Sequence, residues 1–547
     1  MNGTVPMPHL PRLERIASHT RLVVDGEPFL AIGGELHNSS SSDADYMAPV
    51  WGRIRESGIN SVVASVGWDQ VEPEEGQFDF TIVDHLLHGA RSAGVRLTLI
   101  WFGAFKNALS TYAPSWVRAD TARFERADRG AAPFPEPFTY EGSMPRPTLS
   151  VFSPALRSAD ETAYAALMAY VAAVDLDHTV ILMQVENEVG LLGTSRDRSS
   201  SAMAQWNSPI PPELIDAVAS GPDSFHPDVV ALFAEDIAEG STWHDRFGDG
   251  NAVADEVFMA WGFAGYLGAL AAAGKKHLAL PAYANAWLGP QPGQDQPGQY
   301  PSGGPTARMS GVWRVAAPAL DFVAPDIYVS DSEPVMAEYS AATGALFVPE
   351  ARILAGDAFR AVGAFNAFGY HVFGLDDVRE NGQLADSFAQ LVAFGPQIIE
   401  AQHEGRIMGF ALEEGTESIT AEFASTRVTI SSAPKRLARM LLDIGVRLPE
   451  PGPRPSETIT DAHGPNPGDP RPFGVIFATG PLEYIAVGQQ AMIDFSKDGT
   501  SVEIDSVREL VLKNGTWVDG RILNGDERLT LLGVDRVTAV RIRLLAV

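Results

Sequence analysis

Cysteine is absent from the 547 residues. That one absence excludes disulfide bonds, thiolate nucleophiles and any Cys-ligated zinc site together. Positive charge is also scarce: 40 Lys and Arg stand against 69 Asp and Glu, for a net charge of −29. Nucleic acids and anionic membranes need a basic face, so neither is an expected partner, and the acidity suits neutral substrates better than anionic ones. The opening stretch MNGTVPMPHLPRLER has no apolar core of the kind a secretory leader carries. No apolar run reads as long enough to cross a bilayer. The expectation is a soluble, cytoplasmic protein. At this length, with 45% hydrophobic residues, one large domain followed by a smaller one is the natural division.

What is present is an alternation of short apolar runs with helical stretches. Residues 21–36 read as a hairpin turning at Asp25-Gly26. Strand candidates follow at Phe29–Gly33, Ile59–Val66, Arg96–Trp101, Val180–Gln184, His277–Tyr283, Phe322–Tyr328, Ala345–Pro349 and Phe368–Phe373. Helical patterns lie between them, near 82–93, 159–174 and 252–273. Strands alternating with helices imply a parallel sheet, and eight of them imply a closed (β/α)8 TIM barrel over residues 1–400. Turn-forming inserts at 125–154, 191–225 and 289–305 are candidates for pocket walls. Past residue 400 short alternating runs take over, with a Pro/Gly-rich excursion at 449–472, so 401–547 reads as an all-β, sandwich-like accessory domain.

Two acids stand out within this frame. Glu188, in the run QVENEVG, follows the fourth strand candidate, and Glu350 directly follows the seventh. All strand tips of a barrel open on one face, so the two can meet. A pair of carboxyl groups there is what glycoside cleavage needs: one protonates the leaving oxygen while the other attacks the anomeric carbon. Glu186 points to the opposite side if the strand continues, which gives it a supporting role. Aromatic residues at or near strand ends (Trp68, Trp101, Trp116, Trp287, Tyr328 and Phe373) could stack on sugar C–H faces.

The run QVENEVG resembles the acid/base motif QVENEYG of glycoside hydrolase family 35. GWDQVEPEEGQFDF (67–80) is similar to the second-strand motif W-N-x-H-E-P-x-x-G-x-(Y/F)-D-F, with Trp68, Glu72, Pro73, Gly76, Asp79 and Phe80 in place. Over about residues 20–400 the chain thus resembles clan A glycoside hydrolases of the β-galactosidase-type families 35 and 42. The region past 400 is similar to the small β domain that accompanies one bacterial subgroup of them. The resemblance implies a retaining exo-β-glycosidase, most simply a β-galactosidase, with Glu188 as acid/base and Glu350 as nucleophile. It implies Asn187 on the sugar 2-hydroxyl and Tyr328 on the nucleophile.

Further sugar contacts are expected from Trp68, Trp101, Trp287, Glu35, His37, Asn38, Lys106, Asn107, Asn285 and Phe373. Two stretches depart from the family pattern. The first strand reads GGELHNSS, and after the third comes WFGAFKNALSTYAPSWV in place of C-A-E-W, which exchanges an acid for Lys106 and Asn107. Other donor sugars (β-glucoside, arabinopyranoside, galactofuranoside), transglycosylation, or a non-catalytic carbohydrate-binding barrel are the alternatives. No metal or organic cofactor is expected. The expected partner is a small glycoside, with a homo-oligomer (dimer or trimer) anticipated from the family.

Overall fold

The computed structural model describes residues 9–545, apart from 17–18, 107–110, 131–132, 135–147, 236, 378–381, 424–425, 447–467 and 514–515. Eight parallel strands form the first body: β1 (Ala31–Glu35), β2 (Ser61–Gly67), β3 (Arg96–Lys106), β4 (Val180–Asn187), β5 (Ala282–Trp287), β6 (Phe322–Ile327), β7 and β8 (Gly369–Phe373). β7 is split at Pro349, which has no N–H to give to a ladder. Its first half (Phe347–Val348) pairs with β8 and its second (Glu350–Ala351) with β6. β8 pairs with β1, so the sheet closes on itself as a TIM barrel.

The connecting helices follow their sequence patterns. Thr81–Ala93 turns Ile82, Val83, Leu86, Leu87 and Ala90 inward and ends at Gly94 with φ 75°, a left-handed stop that glycine adopts without strain. Pro154–Val174 starts five residues before its apolar pattern suggests, because the Ser153 hydroxyl accepts from the Leu156 amide and Pro154 suits the first turn. Ala252–Lys275 corrects one expectation: by length and composition it could cross a membrane. Two thirds of that stretch is buried, and the helix packs along Pro154–Val174 as a core helix of the barrel. The fifth strand is also corrected, from 277–283 to Ala282–Trp287, because the long helix runs to Lys275 and Pro281 delays pairing.

The N-terminal hairpin exists, turning at Asp25 (φ 54°) and Gly26 (φ 86°). Its Leu22 and Val24 join Ala31, Phe322, Phe347 and Phe368 in one buried cluster. Those are residues at strand beginnings, so the hairpin plugs the end of the barrel opposite the strand tips.

From Ile407 onward the strands are antiparallel and form a six-stranded and a four-stranded sheet. The helix Ala355–Phe365, which follows β7, packs against strands Ile407–Ala411 and Phe473–Gly480. Arg471 clasps this seam by donating to Asp357 (2.9 Å), Asp469 (2.8 Å) and Glu413 (2.7 Å). The 449–472 excursion lies mostly outside the described residues.

Candidate active site

The tip of β4 departs from regular strand geometry twice. Glu186 and Glu188 both take left-handed backbone conformations, φ 62° and 47°, which non-glycine residues adopt at a cost of about 1–3 kcal/mol. The neighbouring β3 compensates. Its pairing with β4 slips between Trp101 and Lys106, and the extra residues wrap the Glu186 carboxylate. The amides of Gly103 (3.0 Å), Ala104 (2.9 Å) and Phe105 (3.0 Å) all donate to it. A Cβ on Gly103 would come within 2.5 Å of Trp101 and 2.6 Å of Glu186, so glycine alone fits the turn.

Behind this turn lies Asp160, which accepts from Trp101 Nε1 (2.8 Å) and the Tyr266 hydroxyl (2.8 Å). Burial pushes Asp160 up to about 6, against the hydrogen bonds it receives from Trp101, Glu186 and Tyr266. Burial, and then the charge of Asp160, push Glu186 well above the usual carboxylate range. Glu186 is thus the strut that sequence alternation assigned to it.

Glu188 and Glu350 meet at the mouth. Each contributes one carboxylate oxygen to a trio, completed by Asp326, whose oxygens all lie within 4.8 Å of one another. The Tyr328 hydroxyl makes a short hydrogen bond to Glu350 Oε1. Burial, and then the nearby Glu188, push Glu350 up to about 7, while Lys106 and the Tyr328 bond pull it down.

Asn285 on β5 links the surrounding groups. Its Nδ2 donates to Asn187 Oδ1 (3.1 Å) and Asp326 Oδ2 (2.7 Å). Its Oδ1 accepts the backbone N–H of Glu188 at 3.0 Å. Asn187 Nδ2, Asp326 Oδ1 and Glu35 Oε2 are buried without hydrogen-bond partners. Lys106 Nζ lies 3.7 Å from Glu188 Oε2. Burial pushes the Lys106 ammonium down, but Glu188, Glu350, Glu35 and Asp326 outweigh it and the net shift is upward. Burial also pushes Glu35 and Asp326 well up, with Glu350 the next cause for each.

Half of the expected site residues gather here: Glu35, Lys106, Asn187, Glu188, Asn285, Tyr328 and Glu350. His37 and Phe373 sit edge to face at the rim, 5.2 Å apart, and His37 Nε2 is 2.8 Å from Asp377. Asn38 is half-buried and accepts from Ser65 through its carbonyl (2.8 Å). Trp287, half-buried, ends β5 on the side that Asn285 faces. Asn107 lies outside the described residues.

Two expectations are overturned. Trp68 and Trp101 are 0% exposed, and neither has a face open to a sugar. Trp68 donates to Glu72 Oε2 (2.8 Å) and meets Trp116 edge to face, so the GWDQVEPEEG run folds into a packed turn. Trp101 shares its strand face with Leu97 and Leu99, against the helices. Asp326 was not anticipated. It lies on β6 two positions before Tyr328, so if the strand alternation is carried one residue past β6 the two fall on one side.

Among the described residues the Glu188–Asp326–Glu350 trio is the carboxylate group tight enough to hold a cation. Lys106, beside it, already supplies a positive charge.

A (β/α)8 barrel with one acid at the fourth strand tip and another at the seventh has the layout of the clan A glycoside hydrolases. The sequence agrees over part of that barrel: residues 41–207 match the family model described as Beta-galactosidase, that of glycoside hydrolase family 42. Residues 384–533 match one described as a domain of unknown function, DUF5597. No curated protein matches the chain.

Similar solved structures include the catalytic domain of β-amylase from Paenibacillus polymyxa (14% identity, 66% of this chain and 98% of that one, TM-score 0.44). Others are β-galactosidases from Rahnella sp. R3 (16%, 68% and 57%, 0.45) and Bacillus circulans sp. alkalophilus (15%, 68% and 57%, 0.43). This chain therefore spans less than two thirds of those β-galactosidases.

Proposed function

We propose that the protein is a retaining exo-β-glycosidase that releases terminal β-D-galactose. The observation that carries the reading is the approach of Glu188 and Glu350, with carboxylate oxygens within 4.8 Å at the tips of β4 and β7. Retaining enzymes hold their two carboxyl groups about 5–5.5 Å apart and inverting ones about 6.5–9.5 Å; one oxygen from each acid this near the other favours the closer class. Glu350 attacks the anomeric carbon and forms a glycosyl-enzyme. Glu188 protonates the departing oxygen, then takes a proton from the water that frees the sugar.

The assignment of Glu350 as nucleophile is supported by the Tyr328 hydroxyl, which favours the charged carboxylate. Asn187, held by Asn285 and by Gln184 Nε2 (3.0 Å), keeps an unpartnered amide N–H group for the sugar's 2-hydroxyl. The family model over 41–207 supports galactose as the sugar.

A second reading, another donor sugar, is favoured by one observation: Lys106 stands beside Glu188, near where the family pattern has an acid that this chain lacks. A panel of p-nitrophenyl glycosides separates the two. The β-D-galactoside should be turned over faster than the β-D-glucoside, α-L-arabinopyranoside and β-D-galactofuranoside. Turnover of one of these without the galactoside would replace the first choice, and turnover of none would reject the glycosidase reading.

A further inference from the structure

Four acids face one another across the pocket: Glu35 from β1, Glu188 beyond β4, Asp326 from β6 and Glu350 from β7. Tyr283 of β5 and Tyr328 beyond β6 are near enough to feel Glu350. A cavity of this kind works against any second charged carboxylate, because each negative charge in a dry site makes the next more costly. Cleavage nevertheless requires an ionised carboxylate opposite a protonated partner.

Lys106 is the cation in the cluster. Its Nζ is 3.7 Å from Glu188, and it is near enough to all four acids for each to raise its own affinity for a proton. Its position is fixed from behind. The slip in β3 brings Lys106 level with Asn187, one residue before Glu188. Three amides from the same turn are bound to Glu186, and there is no room to reshape the turn at Gly103. Held this way, the ammonium is a built part of the wall, directed at the carboxylates.

We propose that Lys106 is a positioning residue: a fixed counter-charge that lets Glu350 stand ionised among the neighbouring acids, rather than a group that reads the sugar. The proposal rests on the glycosidase reading above.

The test is the pH dependence of kcat/KM for the full-length wild type, Lys106→Met and Lys106→Arg, on whichever p-nitrophenyl glycoside the wild type cleaves. Activity appears as pH rises past the point where the nucleophile Glu350 loses its proton. A nearby cation makes that loss easier, so removing it moves the acidic limb upward. An opposite charge a few Å away shifts a carboxyl group by roughly 1–3 pH units, so Lys106→Met should raise the limb by about one unit or more. Lys106→Arg should leave it in place.

A sugar contact would instead raise KM at every pH and leave the limb unmoved, and that result would overturn the proposal. So would an arginine variant shifted as far as the methionine one. Lys106→Gln is read the same way should the methionine variant fail to fold. A wild type that cleaves no glycoside counts against the glycosidase reading, whereas an active wild type with an unmoved limb counts against Lys106 alone.

Discussion

Glu350→Ala is expected to abolish turnover, with a fall on the order of 10⁵-fold or more in kcat, as for other enzymes stripped of a covalent nucleophile. Added azide should restore activity by entering the vacated space and attacking the anomeric carbon, giving a glycosyl azide of inverted configuration. The fold should tolerate the change, since the carboxylate sits at the mouth with one side-chain hydrogen bond, from Tyr328. Its removal also relieves repulsion from Glu188, the second cause of its upward shift after burial. An unchanged melting temperature alongside lost activity separates chemistry from damage. Rescue of Glu188→Ala with the inverted product, in place of Glu350→Ala, would exchange the two roles.

Glu188→Ala carries the second large effect, and it depends on the leaving group. Loss of a general acid costs roughly 10²–10⁴-fold. That full cost should fall on glycosides with basic alcohols as leaving groups. Dinitrophenyl glycosides, whose leaving group needs no proton, should form the glycosyl-enzyme at close to the normal rate and then release it slowly. Azide should speed that release and yield a β-glycosyl azide of retained configuration. A uniform loss across leaving groups would instead mean that Glu188 supports the site through its backbone. Its left-handed conformation and its N–H bond to Asn285 make that a concrete alternative outcome.

The strand count was legible because β-type runs of VVASV, TLIW and VILMQV between helical patterns admit little but a parallel sheet. The acids at the fourth and seventh tips followed from counting. The start of β5 was not legible: Leu278 and Leu280 continue the apolar pattern although pairing begins only after Pro281. Trp101 was misread because both faces of β3 are apolar, so alternation alone does not say which side meets the helices. Trp68 sits in a turn whose shape depends on Glu72 accepting from Gly76 (2.7 Å), a contact that forms only on folding. Asp326 was within reach of strand parity.

Lys106 shows the limit most clearly. Its place among four carboxylates depends on a register slip in β3, and that slip depends on a Glu186 carboxylate buried behind the adjacent strand. Residue type suggested a sugar contact; only the assembled pocket shows how many acids it faces.

The central claim is that Glu350 becomes covalently glycosylated. Incubation with a 2-deoxy-2-fluoro-β-D-galactosyl donor bearing a good leaving group slows the release of any such intermediate. Proteolysis and mass spectrometry then locate the sugar. The account predicts loss of activity in step with one fluorogalactosyl group on the peptide that contains Glu350. An adduct on Glu188 or Asp326 would contradict it. So would a β-galactoside turned over with inverted configuration at the anomeric carbon and no adduct at all.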